Sequence, residues 1–154
     1  MQNFIKSQTR LAFIQYIFQL EFSDVKSAEG IEEFQKYFYK SNIAIIGENK
    51  EFKLQFNKNF LKKLSENYLN NFSKDIIIRT LNTYINLNRK FENWDRVLKS
   101  IIFAIISELQ ISDKEKFKVI LNDYINISKS LLTLKETKLM NAIIQKYLDD
   151  KVIK

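Results

Sequence analysis

Lys118-Val-Ile-Leu-Asn-Asp-Tyr-Ile-Asn-Ile-Ser-Lys129 stands between two further apolar blocks. Ahead of it, Ile101-Ile-Phe-Ala-Ile-Ile106 closes on Ser107-Glu108-Leu109. Behind it comes Leu139-Met-Asn-Ala-Ile-Ile-Gln145. In and around the central block, Phe117, Ile120, Leu121, Tyr124, Ile127 and Leu131 recur at i, i+3 and i+4, the spacing of one helix face. Asp113 is the expected cap of that helix. Thr133 followed by Glu136 fits a capping box, in which each side chain satisfies the other residue's backbone N–H. The helix it opens carries Leu139, Met140, Ile143, Ile144 and Tyr147. The run from Ile101 to Ile106 is apolar on nearly every face. A helix over about Asn93 to Leu109 must therefore sit in the middle of a bundle.

The same periodicity extends upstream. Leu11, Ile14, Phe18 and Phe22 form a stripe in a helix from about Ser7 to Phe22, and Phe13, Ile17 and Leu20 widen it. A second helix is expected over Ala28 to Tyr39. Ser41 to Phe52, with Gly47, reads as a loop that tucks Ile43 to Ile46 under the bundle. A third helix runs from about Phe56 to Tyr68. Ser73 is the expected cap of a fourth, which carries Ile76, Ile77, Leu81, Tyr84 and Ile85. Tyr84 and Tyr124 sit on apolar stripes and count as core, and Trp94 as a buried anchor. The tail, Asp149 to Lys154, is expected to fray.

Composition agrees with an all-α fold. The chain has two glycines and no proline, so it can hardly supply the special turns that sheets demand. AT-rich coding would also deplete proline. With 154 residues, a single domain over 1–154 is expected. Without cysteine or histidine, neither disulfides nor thiolate metal sites can form, and Ser-His-Asp and Cys-His mechanisms are excluded. Asp95, Glu108 and Asp123 are the carboxylates a catalytic reading would need. By sequence, Asp123 and Glu108 share no helix face, so no paired-carboxylate geometry is expected. The expectation is no enzyme, no cofactor and no metal. The net charge of +7 points to an anionic partner such as nucleic acid, or to lysines that merely keep helices solvated. No segment reads as a signal peptide or a membrane span, and a cytoplasmic location is the default.

Glu108-Leu109, Asn122-Asp123-Tyr124, Lys129 and Asn141, in that order and at those distances, resemble the C-terminal half of the NusB family of bacterial transcription antitermination factors. At the other end, Arg10, Gln15, Ile17 and Phe18 fall at positions matching the family's opening helix. The departures are specific. Lys6 and Arg10 stand where the family often has three or more arginines. Phe103 replaces an arginine, Lys116 stands about where a loop proline belongs, and Leu131 and Leu139 replace frequent phenylalanines. Ala142 replaces a glycine and Gln145 an aspartate. The resemblance implies a bundle of about seven helices in two packed three-helix groups, with the first helix central. It implies binding of single-stranded boxA RNA from ribosomal RNA operons together with ribosomal protein S10 (NusE), alongside other Nus factors and RNA polymerase.

The same resemblance singles out Lys6, Arg10, Gln15, Lys99, Lys129, Lys138 and Asn141 as candidate RNA contacts. Lys6 and Arg10 lie four apart on one helix face, so both can reach one phosphate backbone. On that reading, replacing them should weaken binding and leave the thermal midpoint nearly unchanged. The alternative is an ordinary solvated pair. Gln15 could read a base edge or bond across the bundle. Lys129 and Lys138 flank the last inter-helix loop, Lys99 edges an apolar helix, and Asn141 has a structural alternative as a helix-start hydrogen-bonder. Two other functions fit the fold. One is the NusB-like domain of an rRNA methyltransferase, whose glycine-rich loop and cysteine nucleophile are absent here; Met1 and the tail favour a full-length chain instead. The other is a divergent helical adaptor.

Overall fold

The computed structural model describes residues 3–22, 55–86 and 89–153. The expected helix at Ala28 to Tyr39 and the loop at Ser41 to Phe52 lie outside them. The described residues contain six α-helices: α1 (Asn3–Phe22), α2 (Lys58–Asn71), α3 (Lys74–Tyr84), α4 (Arg96–Gln110), α5 (Phe117–Ser128) and α6 (Leu134–Ile153). Short 3₁₀ turns at Phe91–Asn93 and Lys114–Lys116 precede α4 and α5. No strand occurs among these residues.

Polar side chains set the starts of α2, α4 and α6, in places a few residues from those expected. Asn57 caps α2 by accepting from the Phe60 amide at 2.8 Å, so α2 begins at Lys58 rather than Phe56. Asp95 caps α4 by accepting from Val97 and Leu98. The residues before it, expected to be helical from Asn93, form the 3₁₀ turn instead. Ser73 opens α3 through its carbonyl, which accepts from Ile77, and not through its hydroxyl. Asp113 likewise makes no side-chain cap, and a 3₁₀ turn separates it from α5. The Thr133–Glu136 capping box forms as expected: Glu136 Oε1 accepts from the Thr133 amide, and Thr133 Oγ1 from the Glu136 amide. The last helix, α6, continues to Ile153.

Every residue of α4 from Ser100 to Leu109 is buried, as its all-round apolar sequence requires. The helix touches α1, α2, α5 and α6. With α5 and α6 it forms one three-helix group, in which each helix packs on the other two. The helices α1 and α2 pack together and both lie on α4. The first helix therefore shares the centre with α4 and does not hold it alone.

An aromatic chain crosses the core. Tyr68 stacks on Phe72 at 4.8 Å, and Phe72 meets Phe103 edge-on at 5.3 Å. Phe91 then links Phe103 to Trp94. Phe103, the residue standing in for a family arginine, is thus a buried hinge of that chain. Trp94 is the buried anchor expected, with its indole N–H donating to the Arg89 carbonyl at 3.1 Å. Tyr84 is not core. It is half-buried, and its hydroxyl donates to Asp150 at 2.6 Å.

Candidate nucleic-acid interface

Between Lys6 and Glu21, α1 carries a single charged residue, Arg10. A lone cation inside an apolar helix must either reach solvent or be paired. Arg10 is paired, and only 7 % of it is exposed. Its Nε and Nη2 hold both carboxylate oxygens of Glu108 at 2.7–3.1 Å. Its Nη1 holds Asp123 Oδ2 at 2.6 Å. Ser7 donates to the other Asp123 oxygen, and the Tyr124 hydroxyl donates to Glu108 at 2.7 Å. The rings of Phe60 and Tyr124 lie 5.6 and 5.7 Å from the guanidinium carbon, within cation–π range. Burial alone would lower the Arg10 pKa. The hydrogen bonds and charge of Glu108 outweigh it, and the pKa rises above its ordinary value.

This arrangement corrects two expectations. Arg10 is not a solvated partner of Lys6 poised over a phosphate backbone. All three guanidinium nitrogens are taken by carboxylates. Glu108 and Asp123 do come together, although no helical spacing relates them, because Arg10 draws both helices onto α1. The outcome is an anchor in which one guanidinium pairs with both carboxylates. Glu108, Asp123 and Tyr124, with Arg10, are also among the residues that carry the family resemblance. They converge on one spot that joins α1, α4 and α5.

The other candidates lie apart from this anchor. Lys6 is half-buried on α1, one turn before Arg10, and Gln15 is half-buried further along. Lys129 and Lys138 are exposed on either side of the turn between α5 and α6, while Asn141 is half-buried on α6. Lys99 does not join them. The helices α1 and α4 run antiparallel, since Arg10 meets Glu108 at one end and Phe22 meets Lys99 at the other. Lys99 thus sits about 18 Å along α1 from Arg10, twelve residues at 1.5 Å each. Its ammonium donates to the Glu92 carbonyl at 2.7 Å and lies 4.8 Å from the Phe22 ring centroid. Burial, with the charge of Arg96 next, lowers its pKa. Lys114, Lys116 and Lys118, not among the candidate RNA contacts, are exposed ahead of and within the first turn of α5.

A match to the NusB family spans residues 7–149 of the chain. The chain belongs to the NusB family, whose members have roles in transcription antitermination or RNA binding. Lys6 lies one residue before the matched span. No curated protein and no solved structure matches the chain. Among the described residues, no helix is long and apolar enough to cross a membrane, and no group of acidic side chains could hold a metal ion.

The anchor also sets a pH limit. Burial, with the negative charge of Glu108 next, holds the Tyr124 phenol well above its ordinary range. Burial and the charge of Glu21 raise Tyr68 as well. In the unfolded chain these phenols ionise near about pH 10. Above that pH the unfolded state gives up protons that the native state keeps, so stability, complete below it, falls as pH rises. Thermal midpoints measured across this range should therefore decline beyond about pH 10. The decline should be shallower in Tyr124→Phe, and an equal slope in that variant would remove Tyr124 from the transition.

Proposed function

We propose that this protein binds single-stranded boxA RNA of ribosomal RNA operons together with ribosomal protein S10 (NusE). On this reading it works within an elongation complex of other Nus factors and RNA polymerase, in the cytoplasm, and catalyses no reaction. The observation that carries the proposal is the family match, which runs nearly the length of the chain. Exposed Lys129 and Lys138, with half-buried Lys6, supply cations at positions the family resemblance marks for RNA. One observation favours the adaptor reading instead: the internal neutralisation of Arg10 withdraws a cation from an arginine set that is already reduced.

Salt titration separates the two. Affinity for boxA RNA should fall as salt rises, with a slope near −0.7 per phosphate neutralised on a single strand. Replacing Lys6, Lys129 and Lys138 together by Gln should flatten that slope by about 2 and leave the fold intact. Adding S10 should tighten binding to boxA more than to a scrambled RNA. Equal affinity for both RNAs in the presence of S10 would sink the proposal and leave the adaptor.

A further inference from the structure

Among the described residues, one aromatic side chain is exposed, and it is Phe4. It is 61 % accessible, in the first turn of α1, two positions from Lys6. A single exposed apolar residue needs no explanation by itself. Phe4 differs in where it stands. The turn that follows it is tied to other parts of the chain by three bonds, and a fourth closes within the helix. Ser7 donates to Asp123, and Thr9 Oγ1 donates to the Ile5 carbonyl. The same hydroxyl accepts from the Asn57 amide, and Gln8 accepts from the Gln55 amide. The ring therefore stands on a helix end that is tethered from Ser7 onward. The first turn of α1 contains no acidic residue, so no carboxylate on that turn repels a phosphate beside the ring.

The positions where the family resemblance places frequent phenylalanines offer no face on which a base could stack here. Leu131 and Leu139 have no π-face, and both pack half-buried against the core. We propose that Phe4 is the stacking platform for an unpaired base, with Lys6 on the phosphate beside it. Stacking on an aromatic face tolerates any base, and phosphate pairing fixes where the strand lies. The inference rests on the RNA-binding reading above and adds to it an aromatic contact at the start of α1.

The test uses the full chain with S10, a short boxA RNA, and the same oligomer with its bases removed. Phe4→Ala should weaken binding to the RNA roughly 5- to 100-fold without changing the salt slope or the thermal midpoint. Phe4→Trp should restore affinity, and its added fluorescence should be quenched as RNA binds. On the abasic oligomer, Phe4→Ala should bind as the parent does. Parent-like affinity of Phe4→Ala for boxA RNA, while the triple lysine variant loses it, would overturn the stacking role and leave RNA binding standing. Failure of the parent itself to bind boxA RNA would overturn both.

Discussion

Arg10→Ala is expected to destabilise the protein by about 3–5 kcal/mol, the usual penalty for removing one partner of a buried ion pair. At this chain length that corresponds to a fall in thermal midpoint on the order of 10 °C. The magnitude follows from what the substitution leaves behind. Glu108 is 3 % exposed and, among the described residues, would keep only the Tyr124 hydroxyl as a side-chain donor. Asp123, at 19 % side-chain exposure, would keep Ser7 and some access to water, so Glu108 bears most of the penalty. Arg10→Lys should recover little, because an ammonium cannot span Glu108 through two nitrogens and Asp123 through a third.

Removing the charge at both ends tells a different story. Arg10→Met combined with Glu108→Gln deletes the buried pair while keeping an acceptor for Tyr124. Replacing a whole buried pair by neutral groups of similar size is often close to neutral in stability. The double variant should therefore regain much of what Arg10→Ala loses. RNA affinity measured on folded Arg10→Ala at low temperature should keep the parent's salt slope, since no phosphate contact has been removed. An unchanged thermal midpoint together with a flattened slope would return Arg10 to the RNA and dismiss the anchor.

The helices could be read from the sequence because their signals are local. The apolar stripes, the Thr133–Glu136 box and the continuous apolar run at Ile101 to Ile106 depend on neighbours within one or two turns. Starts at Asn57 and Asp95 were missed by two or three residues, since several polar side chains nearby could serve as caps and only backbone geometry chooses one. The anchor was hidden for another reason. Arg10 meets its partners 98 and 113 residues away, and helical spacing says nothing about that. A signal was nonetheless present: one cation in the apolar stretch of α1 and one carboxylate near the end of apolar α4, each in need of a counter-charge. Lys129 and Lys138 were placed correctly at the surface because they border a turn. Whether a surface lysine touches RNA depends on a second molecule, which neither periodicity nor packing encodes.

That same anchor explains why a second carboxylate in α4 should be fatal. Ile102→Asp is expected to abolish folding, leaving protein that is insoluble or lacks helical circular dichroism. Ile102 is fully buried, on a helix enclosed by α1, α2, α5 and α6. Removing the aliphatic side chain costs about 2–5 kcal/mol for the lost burial and the void. The carboxyl group then adds a desolvation penalty that no neighbour offsets, whether it stays ionised or takes up a proton. Together these approach the roughly 5–15 kcal/mol that holds a domain folded. Glu108 survives on this helix because Arg10 reaches it. Position 102 lies six residues earlier, about 9 Å along the axis, and the residues from Ile101 to Ile106 around it are wholly apolar. Ile102→Val, which changes volume without polarity, should cost only about 0.5–1.5 kcal/mol. Soluble, helical Ile102→Asp protein with a cooperative melt would show that α4 is not the enclosed helix of this bundle, and the placement of every element packed on it would have to change.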